Sequence, residues 1–81
     1  MKLPRDLTGE QLAGRLAAFG YTVVRQTGSH MRLVSTHMKH EHKITIPNHA
    51  PLKVGTLAAL LADVAEYLKK SKSDLADELF R

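Results

Sequence analysis

The spacing of apolar residues near the start of the chain predicts a first helix. Its apolar positions recur four and three residues apart, on one helical face: Leu12, Leu16 and Phe19. Thr8 and Gln11 have the spacing of a capping box, in which each side chain satisfies a backbone N–H of the first turn. Gly20 follows as a typical helix stop. We therefore expect a helix that begins just after Thr8 and ends before Gly20.

A second apolar stripe predicts a longer helix that begins near Val54 and runs to about Lys70. The members of this stripe are Leu57, Leu60, Leu61, Val64 and Leu68. A short third helix is predicted to follow, with Ser73 as its cap and Asp74 in its first turn, where a negative charge is favourable. Its apolar positions are Leu75, Leu79 and Phe80.

Between the first two helices, three segments rich in β-branched and alternating residues predict strands over residues 21–25, 30–35 and 42–46. In the second strand Met31 and Leu33 share one face, and His30, Arg32 and Val34 share the other. In the third strand the apolar positions Ile44 and Ile46 alternate with Lys43 and Thr45. Residues 26–29 predict a turn in which Gly28 adopts positive φ, and residues 36–41 predict a polar connection.

The predicted order is α-β-β-β-α with an additional short C-terminal helix. The strand connections are too short for crossover helices, so the three-stranded sheet is expected to be antiparallel. Helices on one face of such a sheet give an α+β two-layer sandwich, here as a single domain over residues 1–81. The opposite face of the sheet is left for solvent or for function.

The composition limits the cellular location and the kinds of site that the protein can form. The chain has no cysteine, which excludes disulfides and thiolate metal sites. No apolar run approaches the ~20 residues that span a bilayer, and no apolar segment of a signal peptide follows the N-terminus. We expect a cytoplasmic protein without membrane association.

Charge is unevenly distributed along the chain. Residues 1–53 carry eight Lys and Arg against three Asp and Glu, and residues 54–81 carry four against five. All five histidines lie in the basic part. This distribution favours a polyanionic partner for the basic part, although excess lysine also serves solubility alone.

The tripeptide Gly28-Ser29-His30 is the main candidate for chemistry. It places one imidazole at the start of a strand, between Arg25 and Arg32, and imidazole titrates closest to neutral pH. Gly28 could let the backbone of a polyanion approach, and Ser29 could bond an anionic group or cap the turn. From the residues alone, a structural histidine that bonds to its own turn is the favoured interpretation, because isolated histidines are common.

The chain resembles the HicA toxins, small ribonucleases of type II toxin–antitoxin modules. The resemblance runs in order from Lys2 to at least Leu61 and becomes looser after Tyr67. The matching stretches are KLPR at residues 2–5, GY at 20–21, VRQTGSH at 24–30, HKITIPNH at 42–49 and PLKVGTL at 51–57.

This resemblance implies a double-stranded-RNA-binding-domain-like fold and RNA cleavage without a cofactor or metal. It also implies that the histidine of the Gly-Ser-His motif, His30, is catalytic, and that a HicB-type antitoxin neutralises the protein. The resulting hypothesis is a ribosome-independent endonuclease acting on mRNA. The alternative, a different functional class, is a non-catalytic double-stranded-RNA-binding module that binds RNA and leaves it intact.

RNA carries its own nucleophile, the ribose 2′-OH, so cleavage needs a base, an acid and cations near the phosphate. His30 is the predicted base. The acid stays open among His49, Lys43, Arg32 and water. The predicted RNA contacts are Arg25, Ser29, Arg32, Lys43 and Lys53.

Two further features admit a functional and a structural interpretation. Lys53 precedes the amides that begin the second helix, which suggests a phosphate anchor. A solvated lysine before a helix that Thr56 caps is equally compatible with the pattern. His37, His40 and His42 suggest a metal site, but one flexible loop lacks the scaffold of a metal centre, and a solvated loop is favoured.

Overall fold

The computed structural model describes residues 2–81, and its elements follow the predicted order. They are α1 (Gly9–Leu16), a 3₁₀ turn (Ala17–Phe19), β1 (Thr22–Gln26), β2 (His30–Ser35), β3 (His42–Pro47), α2 (Val54–Leu68) and α3 (Lys72–Leu79). The predicted α+β class and the short C-terminal helix are confirmed. Within residues 2–81, no helix has both the length and the apolar character needed to cross a membrane.

The sheet has the strand order β1-β2-β3, and both pairings are antiparallel, as predicted. Arg25 pairs with Arg32 across β1 and β2, and Arg32 pairs with Thr45 across β2 and β3. The β1–β2 register shifts between Val23 and Arg25, which marks a bulge in β1. These pairings bring side chains from all three strands into one row.

The two faces of the sheet differ as the alternation predicts. The face toward the helices is buried and carries Met31, Leu33, Ile44 and Ile46. On the opposite face His30, Arg32, Lys43 and Thr45 are exposed. The hydrophobic core therefore lies between the sheet and the helices, and the two-layer prediction is confirmed.

The start of α1 is fixed by the predicted capping box. The Gln11 N–H donates to Thr8 Oγ1 at 3.1 Å, and the Thr8 N–H donates to Gln11 Oε1 at 2.9 Å. The helical segment ends at Gly20, whose φ of 80° lies in the left-handed region that favours glycine. Gly9 has a different role, because an added Cβ would collide with the carbonyl oxygen of Pro47 at the end of β3.

Several predicted boundaries differ from the structure. Strand β1 begins at Thr22, one residue later than expected, because Tyr21 is buried in the core before the strand. Strands β1 and β3 each extend one residue further, to Gln26 and Pro47. Helix α2 ends at Leu68 rather than near Lys70.

The predicted cap of α3 is wrong, and Thr56, the alternative cap considered for α2, does not cap that helix. Lys53 is the N-cap of α2 with an extended backbone, and no side chain caps that helix, so Thr56 does not. Ser71 caps α3, not Ser73, because its hydroxyl accepts the Asp74 N–H at 3.0 Å. The sequence offers two serines two residues apart, and only backbone geometry distinguishes them.

This cap can be tested by replacing each serine with alanine. We expect Ser71→Ala to lower the free energy of unfolding by about 1 kcal/mol, the usual value of a lost N-cap bond. Ser73→Ala should change it by less than about 0.5 kcal/mol, since that residue is exposed and caps nothing. Urea denaturation of both variants measures the difference, and equal losses would contradict the assignment.

Candidate active site

The turn between β1 and β2 is held by a compact set of hydrogen bonds. The Thr27 N–H donates to the His30 carbonyl at 2.9 Å, and the His30 N–H donates to Thr27 Oγ1 at 3.1 Å. At the end of β3 the Asn48 N–H donates to the Ser29 carbonyl at 2.9 Å. The backbone on both sides of the imidazole is thereby fixed at the start of β2.

Gly28 does not have the positive φ that the sequence predicts. The Thr27 hydroxyl closes the turn, so no left-handed residue is needed there. A Cβ added at Gly28 would meet no atom within 4 Å. The space above this residue is open, which suits the close approach of another molecule.

The His30 side chain is exposed and makes one local contact. Its Nδ1 lies 3.0 Å from Ser29 Oγ, which is the contact within the turn that a structural histidine would make. Among residues 2–81, its Nε2 has no hydrogen-bond partner. The ring is therefore oriented through one nitrogen, and the other nitrogen is available to a ligand.

A cavity of about 260 Å³ lies on the open face of the sheet beside this imidazole. It is lined by Arg25, Thr27, His30, Arg32 and Thr45. Side chains opposite each other on paired strands have Cβ atoms about 4.5–5.5 Å apart, so the two guanidinium groups share one site. In the described part of the chain neither arginine forms an ion pair with a carboxylate. The cavity is consequently cationic and suited to an anion.

Thr45 is the cavity residue that sequence reasoning missed. Its alternation in β3 places it on the open face, but its position opposite Arg32 depends on the strand register. The register of β2 against β3 cannot be read from the local sequence pattern. Thr27 lines the cavity and closes the turn, whereas the sequence predicts it only as a member of that turn.

The other predicted contacts lie outside this cavity. Lys43 is on the same face of the sheet, but its Nζ is 3.4 Å from the carboxylate of Glu41. Lys53 is exposed at the start of α2. His49 is exposed in the loop after β3, and its carbonyl accepts the Gly9 N–H at 3.0 Å. None of these three side chains lines the cavity.

A second histidine, His42, belongs to a different environment at the other end of β3. Its Nδ1 lies 2.6 Å from the Tyr21 hydroxyl, and its Nε2 lies 3.1 Å from Asp63. The Tyr67 ring stacks on the imidazole with 4.6 Å between centroids. Burial, followed by the charges of Tyr67 and Asp63, raises the pKa of the Tyr21 hydroxyl. The phenol is thus protonated at neutral pH, and its hydroxyl lies within hydrogen-bond distance of the His42 imidazole.

The histidines of the β2–β3 connection are also held separately. The His37 ring meets Phe19 edge-on at 6.1 Å, and the His40 ring meets Tyr67 at 4.9 Å. The Tyr67 hydroxyl donates to the His40 carbonyl at 2.6 Å and accepts the Met38 N–H at 2.9 Å. Across residues 2–81, no three His, Asp or Glu side chains are arranged to hold a metal ion. The contacts of Met38 and His40 with Tyr67 join the β2–β3 connection to α2.

Comparison with known proteins identifies the family. No curated protein matches the chain, and no solved structure matches it. The model of one family, described as the HicA toxin of bacterial toxin–antitoxin systems, matches residues 9–65, more than two thirds of the chain. The match includes every residue that lines the cavity and ends before α3. The chain therefore belongs to the HicA toxin family, and this membership implies a cognate antitoxin as its partner.

Proposed function

We propose that this chain is a ribosome-independent endoribonuclease that cleaves mRNA in the cytoplasm, as the toxin of a type II toxin–antitoxin pair. One toxin domain, residues 1–81, carries the activity. The observation that supports this proposal best is the convergence of His30, Arg25 and Arg32 on one open cavity. These side chains supply a proton acceptor and two permanent cations at the place where a phosphodiester can bind.

The proposed reaction uses the RNA, these side chains and water. His30 Nε2 accepts the proton of the ribose 2′-OH, and the 2′ oxygen attacks the adjacent phosphorus. The bond from phosphorus to the 5′ oxygen then breaks. The products are a 2′,3′-cyclic phosphate and a 5′-hydroxyl. For Nε2 to act as the base, Nδ1 carries the other ring proton and donates it to Ser29 Oγ, 3.0 Å away.

Two arginines stabilise the charge that develops on the phosphorane. Arg25 and Arg32 form a cross-strand pair and keep their charge throughout the reaction. Because a guanidinium does not release its proton at neutral pH, neither serves as the general acid. No second imidazole and no carboxyl group lines the cavity within residues 2–81. Water is therefore the proposed donor to the leaving 5′ oxygen.

The remaining predicted contacts act around this centre. The open space at Gly28 lets the RNA backbone approach the turn. Lys43 attracts the strand from the same face of the sheet, with its charge partly compensated by Glu41. Lys53 and the uncapped amides of α2 form a proposed phosphate anchor further along the RNA.

The proposed partner that controls the activity is a HicB-type antitoxin. A toxin whose catalytic side chains are exposed on an open sheet face needs an external inhibitor, because nothing in the described chain covers His30 or the two arginines. Occupation of this cavity by the antitoxin would exclude RNA.

Incubation of the purified protein with a labelled RNA and a chelator tests the function. We expect cleavage with the chelator present, and fragments that end in a 2′,3′-cyclic phosphate. Intact RNA with retarded migration, weakened steeply by salt, would instead support a non-catalytic RNA-binding module. Cleavage that disappears only with the chelator would contradict the metal-free mechanism.

The specific contribution of Arg32 to the cleavage rate can be separated from general electrostatic attraction of the RNA. We expect Arg32→Ala to lower the rate of RNA cleavage by about 10²-fold, the scale of one lost group that stabilises transition-state charge. Lys43→Ala removes an equal charge from the same face, outside the cavity, and should lower it by less than about tenfold. Single-turnover cleavage at fixed salt compares them. Equal losses would contradict a specific role for Arg32.

A further inference from the structure

An apolar groove lies between α1 and β1, on the sheet face opposite the cationic cavity. Its volume is about 400 Å³. Its apolar lining includes Ala13, Ala17, Val23 and Met31, and Glu10, Thr22 and Gln26 add polar groups. Val23, which lines this groove, is 45% exposed. Its neighbour Val24 is 57% exposed but does not line the groove. A large apolar side chain left exposed beside an apolar groove is typical of a protein-binding surface.

Strand β1 is also an edge of the sheet. Within residues 2–81 it pairs only with β2, and all five of its residues are exposed. The backbone on its outer side is therefore available to another chain. The bulge between Val23 and Arg25 interrupts the regular ladder, a device that prevents indiscriminate pairing between edges.

The two sheet faces offer opposite chemistry along this one strand. The helix-side groove is predominantly apolar, and the open face carries Arg25 and Arg32, neither of which forms an ion pair within residues 2–81. Side chains alternate between faces in an extended segment, and those on one face are about 6.6 Å apart. A segment lying along β1 would therefore direct every second side chain into the groove and the others toward the arginines.

We propose that the free edge of β1 is the docking surface of the antitoxin, through an extended segment of alternating apolar and acidic residues. The apolar side chains fill the groove between α1 and β1, and the carboxylates pair with Arg25 and Arg32. This inference rests on the proposed toxin–antitoxin pairing. It adds the location and the chemistry of the toxin–antitoxin contact. It also explains inhibition, because the antitoxin carboxylates pair with the two arginines that would otherwise bind the RNA phosphate.

A second copy of this chain fits the surface less well. Its β1 would bring Arg25 against the same basic face, and like charges at an interface oppose association. Its bulge would also have to match the bulge of the first copy. An acidic segment complements the charge and has no such constraint.

The probe is a synthetic octapeptide of alternating valine and glutamate, with an isomer of equal composition that carries four valines followed by four glutamates. Amide chemical shifts of the full chain follow each titration. We expect the alternating peptide to shift amides of β1, Ala13 and Ala17, and to bind on the order of tenfold more tightly than the isomer. Equal binding, shifts confined to other surfaces, or no shifts at millimolar peptide would overturn the inference.

Two valines of equal exposure provide the matched control. Val23 and Val54 are both 45% exposed, so Val23→Glu and Val54→Glu change the same charge and expose the same kind of site. We expect on the order of a tenfold loss of peptide affinity for Val23→Glu and little change for Val54→Glu. Ala17→Glu, on the helix side of the groove, repeats the test if Val23→Glu does not fold. Equal losses at Val23 and Val54 would overturn the inference.

Hydrogen exchange in the toxin–antitoxin complex separates this inference from the proposed function. We expect protection of the β1 amides when the antitoxin binds. An antitoxin that neutralises the toxin while protecting α2 instead would overturn the docking surface and leave the pairing intact. Absence of RNA cleavage by the free protein would contradict the nuclease proposal, whatever the peptide does.

Discussion

Replacement of His30 by alanine is expected to lower the rate of RNA cleavage by about 10²–10⁴-fold, the usual contribution of a positioned general base. This expected loss follows from the position of His30 in the site. His30 is the one imidazole that lines the cationic cavity, and its Nε2 has no partner within residues 2–81. The fold should be unaffected, because the side chain is exposed and its N–H···Thr27 bond belongs to the backbone.

The measurement combines two assays of His30→Ala. Single-turnover cleavage of a labelled RNA gives the rate, and growth after induced expression gives the toxicity. His49→Ala is the matched control, since it removes an exposed histidine that does not line the cavity. A His30→Ala protein that cleaves RNA and arrests growth like the wild type would contradict the catalytic assignment.

RNA binding should respond differently from cleavage. Arg25 and Arg32 keep their charges in His30→Ala, so affinity for RNA and its dependence on salt should be nearly unchanged. A parallel loss of affinity and rate would mean that the imidazole holds the RNA and does not act as a base. This comparison separates a catalytic role of the imidazole from a role in holding the RNA.

Local signals predicted the fold well where one interaction decides the structure. The Thr8–Gln11 capping box and the left-handed Gly20 each depend on a few neighbouring residues. The alternation in β2 and β3 correctly separated buried from exposed positions. Local signals failed where two candidates compete, as with Ser71 and Ser73, because side-chain chemistry alone does not distinguish them.

Gly28 illustrates a different limit. Glycine in a short turn usually supplies positive φ, and here it does not. The Thr27 hydroxyl bonds to the backbone of His30 and closes the turn in another way. A residue type indicates what the backbone permits, and the surrounding hydrogen bonds decide what it adopts.

Only part of the candidate site could be predicted from the sequence. His30, Arg25 and Arg32 are close in sequence, so their proximity followed from one predicted hairpin. Thr45 joins them only through the β2–β3 register, which is a long-range property. For the same reason the sequence could not separate His42 from the loop histidines, because its partners Tyr21 and Asp63 are each 21 residues away.

The C-terminal helix lies outside the family match but inside the core. Leu75 is fully buried, and Ala76 and Leu79 are 3% and 5% exposed. Arg15 of α1 donates to the Leu79 carbonyl at 2.7 Å, and Lys70 pairs with Glu78 at 2.5 Å. Helix α3 therefore covers apolar surface that the matched part of the chain would otherwise expose.

We expect Leu75→Ala to lower the free energy of unfolding by about 2–5 kcal/mol, the range for a buried leucine whose cavity does not collapse. That loss is a large fraction of the roughly 5–15 kcal/mol that stabilises a typical domain. Thermal and urea denaturation measure it. Asp77→Ala, an exposed position on the same helix, is the control and should change the value by less than about 0.5 kcal/mol.

The same variant distinguishes a structural from a catalytic role for α3. The helix packs on the opposite side of the molecule from the open sheet face, so cleavage by folded Leu75→Ala at low temperature should match that of the wild type. A loss of stability below about 1 kcal/mol would show that α3 is peripheral to the core. A folded variant that cleaves RNA poorly would show instead that α3 maintains the geometry of the site through α1 and the sheet.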